Sequence, residues 1–193
     1  MDTKPSLSII IPNHRERKLM SVYAQVKSFF PDAQVILCDD TAGQGKGWAI
    51  RNGIRDSKGD LVCFLDGDLD IHPKEIFKLL DEIQYCDIVI GNRVYNAPLS
   101  RKILNVGYKM LIRLLFGWSM SIDTQSGIKL FRWGKLPFWH TNSFAFDVEI
   151  LAKARQAGFN IREIPVESKI RASKSFSAIW CTLVETIKVR LSL

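Results

Sequence analysis

The stretch Asp66-Gly67-Asp68-Leu69-Asp70 places carboxylates at every second position. Like charges this close repel one another unless a cation or cationic side chains lie between them. Hard divalent ions such as Mg²⁺ and Mn²⁺ prefer carboxylate oxygen and commonly bridge a protein carboxylate to substrate phosphates. The chemistry this spacing points to is a metal–diphosphate site, with Asp66, Asp68 and Asp70 as candidate ligands. A plainer reading stands beside it: Asp stabilises a helix N-terminus, and Pro73 marks a helix start nearby. An EF-hand loop also opens with alternating Asp, but it needs Gly at its sixth position and Glu at its twelfth. This chain has Ile71 and Phe77 there, so the EF-hand is excluded.

The elements that must position these groups can be read around them. Leu61-Val62-Cys63-Phe64-Leu65 is a continuous apolar run directly before the acidic cluster and reads as a fully buried strand. Open α/β sheets bind ligands at such strand ends. Upstream, Leu7 to Ile11 reads as a first strand stopped by Pro12, and helical spacing from Glu16 runs through Phe29. Val35 to Cys38 gives a second strand ending at Asp39-Asp40. Gly43-Gln44-Gly45-Lys46-Gly47 follows, then a helix from about Trp48 to Asp56. The glycine-rich stretch lacks the spacing of a Walker A loop or of GxGxxG, and reads as a flexible turn with one lysine.

Downstream of Pro73 the pattern gives a helix to about Ile83 and a buried strand over Asp87 to Gly91. Asn92-Arg93 at its end puts a guanidinium on the same side of the sheet as the carboxylates, suited either to phosphate or to a structural ion pair. A further strand is expected at Ile128–Phe131, a helix from Phe146 to about Ala157, and a last strand from Ile161 to Val166. Strands alternating with helices indicate a mostly parallel α/β sheet. Residues 101–117 and 175–193 are amphipathic, reading either as interfacial helices that meet lipid phosphates or as core helices with a solvated edge.

At 193 residues the chain is most simply one domain, with 47% hydrophobic and 24% charged residues, as in folded globular proteins. The first apolar run is too short for a secretory signal, and no stretch approaches the ~18 consecutive apolar residues of a spanning helix. Cys38, Cys63, Cys86 and Cys181 form no CxxC pair and read as reduced, buried thiols of a cytoplasmic protein. Charge is uneven: residues 1–96 carry 12 Lys+Arg against 14 Asp+Glu, and residues 97–193 carry 15 against 6. A basic half joined to an acidic one fits an anionic partner approached from one side, such as a membrane surface. Nucleic acid is set aside, because the basic residues are not interleaved with a recognisable binding module.

In order, the chain carries Pro12…Glu16, Asp39-Asp40, Gly45-Lys46-Gly47, Asp66-x-Asp68, Gly91-Asn92-Arg93, Arg101, Asp123-Thr124-Gln125-Ser126-Gly127, Phe146-Asp147-x-Glu149 and Arg171-x-Ser173-Lys174. This series resembles the family 2 glycosyltransferases of the GT-A fold, in particular the polyprenyl-phosphate branch. That resemblance implies a compact, Rossmann-like, mostly parallel sheet flanked by helices. It implies an inverting, metal-dependent enzyme that moves a hexose from a nucleotide-diphosphate sugar (UDP-glucose or GDP-mannose type) to a dolichyl or undecaprenyl phosphate. Pro12 and Glu16 would line the base pocket, with Asp39 and Asp40 holding base and ribose and Lys46 beside them. Asp66, Asp68 and Asp70 would hold Mg²⁺ or Mn²⁺. Arg93, Arg101, Arg171 and Lys174 would hold phosphates, and Asp123 and Gln125 would sit near the sugar. The setting implied is the cytoplasmic face of a membrane, bound peripherally, with room for an integral-membrane partner.

The chain also departs from the family pattern. His14 and Arg15 replace the usual Tyr and Asn, and Lys129 replaces the usual Arg, losing its bidentate fork. Only five residues separate Asp40 from Lys46, where the family has a helix and an edge strand. Two alternatives stay open on these grounds: transfer to a saccharide hydroxyl, with Asp123 or Asp147 as base, and a non-catalytic nucleotide-sugar-binding relative.

Overall fold

A computed structural model describes residues 5–13, 19–40, 43–94, 99–117, 120, 123–169 and 176–192, without the side chains of 99–105 and 176–182. Its strands are β1 (Leu7–Asn13), β2 (Gln34–Asp39), β3 (Leu61–Leu65), β4 (Ile88–Val94), β5 (Ile128–Arg132) and β6 (Ile161–Glu167). Its helices are α1 (Leu19–Phe29), α2 (Lys46–Asp56), α3 (Ile76–Glu82), α4 (Leu99–Phe116), α5 (Phe146–Gln156) and α6 (Phe176–Ser192). They form one sheet in the order β2-β1-β3-β5-β4-β6. All strands run the same way except β5, which is antiparallel to β3 and β4.

Alternation along the strands divides the interior in two. Ile10, Val62, Phe64, Ile88, Ile90 and Phe131 face α2 and α5, where Ile50, Phe146 and Leu151 complete one core. Ile9, Ile11, Cys63, Leu65, Val89 and Leu130 face α1 and α3 across Val22, Val26, Ile76 and Leu79. The period-two pattern of a strand buried on both faces is the cause. Cys38, Cys63 and Cys86 are free and buried, and burial pushes the Cys38 thiol up to about 12.

Three boundaries differ from expectation. Pro12 does not stop β1: it pairs with Cys38, and Asn13 pairs with Asp39. The pairing of β1 with β3 covers only Leu7 to Ile10, so the missing proline N–H falls where β1 has β2 alone as neighbour. α2 begins at Lys46, earlier than the apolar periodicity indicates. The helix expected after Pro73 is framed by 3-10 turns, Pro73–Glu75 and Ile83–Tyr85. β2 is a sheet edge of six residues, as the short connection from Asp40 to Lys46 requires.

The start of α2 is clamped by the segment before α5. The Asn142 carbonyl accepts from the N–H groups of Gly47 (2.7 Å) and Trp48 (3.2 Å), and the Trp139 indole donates to the Gly47 carbonyl (3.1 Å). Gly45 has φ 109°, and a Cβ there would lie 2.5 Å from the Asn142 carbonyl oxygen, so only glycine fits. The clamp is anchored by buried Glu149, which accepts from the backbone of His140 (3.0 Å) and Thr141 (2.9 Å) and pairs with Lys153 (2.8 Å). Burial resists ionisation of Glu149, but the bonds from Lys153, Thr141 and His140 outweigh it and hold the carboxyl at about 2, below its ordinary 4.5. A carboxyl depressed in the folded state adds stability above its unfolded value and loses it as pH falls through the folded one. Glu149→Gln is therefore expected to lower Tm at neutral pH, with the gap to wild type closing between pH 4.5 and about 2. Thermal unfolding across that range checks this, and a gap independent of pH contradicts it.

Candidate active site

The C-terminal ends of β1, β2, β3, β4 and β6 and the start of β5 share one edge of the sheet. The chain leaves β1 for β2 on one side and returns to β3 on the other, so a topological switch point lies between β1 and β3. Crevices in open α/β sheets form at such points. Pro12, Asp39, Asp40, Asp66 and Arg93 are brought to this edge, and so is the 123–127 segment leading into β5.

Asp66 follows β3 and is fixed by its backbone N–H donating to the Gly127 carbonyl (2.9 Å). Its Oδ1 lies 2.7 Å from Lys46 Nζ, and a Cβ on Gly127 would come within 2.5 Å of its Oδ2. Lys46 also reaches Asp147 Oδ2 at 3.3 Å, while Lys129 Nζ lies 2.5 Å from Asp147 Oδ1 and 2.6 Å from the Ser126 carbonyl. Burial opposes the charge on Lys46, yet Asp147 and Asp66 overcome it and raise this amine above its ordinary range. At Lys129 burial wins over Asp147, and the amine is lowered. Lys46, expected beside the donor, thus spends its amine on two carboxylates.

The acidic loop is short and tied down. Asp68 Oδ1 accepts from the Asp70 N–H (3.0 Å), Leu69 takes φ 60°, and the Asp70 carbonyl accepts from the exposed Lys169 N–H (2.8 Å). Among the described residues no three of His, Cys, Asp or Glu are gathered closely enough to hold a metal by themselves. Mg²⁺ is commonly held by one or two carboxylates plus substrate phosphates. Asp68 and Asp66, both partly exposed after β3, fit that arrangement with a diphosphate completing the shell.

Other expected residues have definite partners. Asn13 donates to Asp39 Oδ1 (2.5 Å), leaving Asp39 exposed at the rim. Asp40 is buried and accepts from the Gln44 (2.6 Å) and Gly45 (2.7 Å) N–H groups, folding the glycine-rich loop onto itself. The Arg93 guanidinium grips Asp123 with both Nε and Nη2 at 2.8 Å, and its backbone N–H adds a third bond (3.1 Å). Burial works against ionisation of Asp123, but Arg93 holds it below the ordinary carboxylate range. Gln125 donates to the Tyr108 hydroxyl (3.1 Å), linking this loop to α4. Arg101 lies on α4, its side chain outside the described set, and Glu16, Arg171 and Lys174 lie outside the described residues.

Sequence reading did not bring Lys129, Asp147 and Lys46 together. It took Lys129 as a lost phosphate fork and Asp147 as a spare base, while the structure pairs them within a buried network. The one available signal was a lysine inside the otherwise apolar strand Ile128–Phe131, since a lysine so enclosed needs a carboxylate.

The glycosyl transferase family 2 sequence profile matches residues 17–155. A dolichyl-phosphate beta-glucosyltransferase of Trichomonas vaginalis is 34% identical over 182 aligned positions, with 86% of this chain and 55% of that protein covered. The dolichyl-phosphate beta-glucosyltransferase of Saccharomyces cerevisiae is 30% identical over 161 residues, covering 70% of this chain and 48% of that protein. The chain thus spans about half the length of these curated relatives. In fold it is similar to glucosyl-3-phosphoglycerate synthase from Mycobacterium tuberculosis, solved with Mn²⁺, UDP and phosphoglyceric acid. The TM-score is 0.75 at 16% identity, over 97% of this chain and 78% of that one. The sheet is thus of the GT-A kind, and the chain belongs to glycosyl transferase family 2.

Proposed function

We propose that this protein is an inverting glycosyltransferase that moves a hexose from a UDP-glucose- or GDP-mannose-type donor to a polyprenyl phosphate. The observation that carries this reading is that Asp66, directly after β3, and the Arg93–Asp123 pair, joining the end of β4 to the loop before β5, lie at the same edge of the sheet. The names of the curated relatives support the lipid acceptor.

Asp39, with Asn13, is suited to hold base and ribose hydroxyls at the rim, and Asp40 keeps the neighbouring loop in shape. Asp68 and Asp66 would hold Mg²⁺ or Mn²⁺ against the donor diphosphate. The bound ion would supply electrostatic stabilisation of the departing nucleoside diphosphate. Gln125 and the Arg93–Asp123 pair are suited to receive the sugar and the acceptor phosphate. A phosphate monoester has its second pKa near ~6 and is already a competent nucleophile at neutral pH, needing no general base. That requirement favours a lipid phosphate over a saccharide hydroxyl, because both candidate bases are committed: Asp123 to Arg93, and Asp147 to two lysines.

Peripheral binding at the cytoplasmic face of an anionic membrane completes the proposal, with an integral-membrane partner as a further element. Its support is on α4 and α6. Val106, Met110 and Leu114 are exposed at helical spacing, Leu114 by 82%, and Val184, Ile187 and Leu191 are exposed on α6. Lys188 and Arg190 are exposed among them. Among the described residues no helix is long and apolar enough to cross a membrane.

Two experiments follow. Radiolabelled sugar should pass from nucleotide donor into organic-extractable lipid with Mg²⁺ or Mn²⁺, and EDTA should stop it. Asp68→Ala should cut the rate by roughly a hundredfold with the circular dichroism spectrum unchanged; an active variant, or EDTA-resistant transfer, overturns the metal role. In vesicle sedimentation, Met110→Glu with Leu114→Glu should abolish binding to phosphatidylserine vesicles that wild type binds at low salt. Equal binding by both proteins removes this face from the proposal.

A further inference from the structure

Lys129 of β5, Asp147 in the first turn of α5, Lys46 opening α2 and Asp66 after β3 form a line of alternating charges. They are linked by contacts of 2.5, 3.3 and 2.7 Å. Lys129 and Asp147 are buried, Lys46 is nearly so, and Asp66 is a third exposed. Lys46 is shared: whatever it gives to one carboxylate it withdraws from the other. Asp147 has Lys129 to balance it, whereas among the described residues Asp66 is ion-paired to Lys46 alone.

We infer that Lys129 and Asp147 are positioning residues that act through Lys46. They set how firmly Asp66 is neutralised, and hence how strongly the end of β3 attracts a divalent cation. The inference rests on the metal reading of Asp66 and Asp68 given above. Its signs follow from charge alone. Without the Asp147 charge, Lys46 has no second anion to serve and closes on Asp66, so a cation there meets more competition. Without the Lys129 charge, Asp147 draws on Lys46 and Asp66 is released. Removing both charges restores the balance, and Lys46 again faces a locally neutral neighbour.

The test measures Mn²⁺ affinity from the free-ion electron paramagnetic resonance signal, with saturating UDP and, separately, GDP. Asp147→Asn should weaken Mn²⁺ binding and Lys129→Met should tighten it, each by about fivefold. The double variant should lie nearer wild type than either single one. Lys135→Met removes a lysine whose pairing is with Asp87 at 3.7 Å, outside this line, and should leave affinity unchanged. A role in folding alone would move both single variants the same way, and that result overturns the inference. Lys46→Met leaves the Lys129–Asp147 pair whole, so it provides a decision even if a buried single variant fails to fold. It should tighten Mn²⁺ binding, and failure to do so is equally decisive. If wild type binds no Mn²⁺ with either nucleotide, the metal reading falls and this inference with it; binding by wild type without opposed shifts sinks the inference alone.

Discussion

Asp66 directly follows β3, a strand buried on both faces, and its carboxylate is met by positive charge. Here the charge comes from α2, not from solvent: Lys46 reaches it at 2.7 Å from the first residue of that helix. This places a strict demand on where α2 begins. The glycine-rich loop meets it through a backbone conformation closed to residues with a side chain, held by Asp40 on one side and the Asn142 carbonyl on the other. α5 must sit close as well, since it supplies Asp147 to the same amine and carries Glu149, which anchors the Asn142 segment. Three linked ion pairs thereby couple β3, α2, α5 and β5.

The same economy extends to the other charged groups described at this edge. Arg93 is bound twice through its side chain to Asp123, and Lys46 and Lys129 share Asp147. Pairs of this kind are poor bases, because taking up a proton would leave a buried cation uncompensated. They are good rigid dipoles, oriented before any ligand arrives, which is the property electrostatic catalysis needs. A crevice so furnished suits a reaction in which charge must be steadied at a leaving group and no proton needs to be abstracted.

Much of the architecture was legible in the sequence, because strands buried on both faces leave uninterrupted apolar runs such as Leu61–Leu65 and the sheet follows from their alternation with helices. The acidic cluster was legible for the same reason: it stands where such a run stops. What local pattern could not reveal were partnerships between distant residues. Lys46 and Asp147 are 101 positions apart, and nothing at either site announces the other. Pro12 misled because its cost depends on which side of the strand is paired, a property of the sheet and not of the residue. Asp40, expected with Asp39 to hold base and ribose, is buried and caps its loop through two backbone bonds, which no local pattern announces.

The segment before β5 connects the chemistry to the molecule's exposed apolar surface. Gln125 donates to Tyr108 of α4, whose hydroxyl lies 3.5 Å from Thr186 of α6, and Arg190 of α6 donates to the Leu115 carbonyl (2.6 Å). The two helices that leave Met110, Leu114, Ile187 and Leu191 in the open are thus the two that brace the loop expected beside the sugar. For an acceptor with an ionised head and a long apolar tail, this is the pairing the physics asks for. The tail can stay in a lipid surface against those helices while the head reaches the strand-end edge of the sheet.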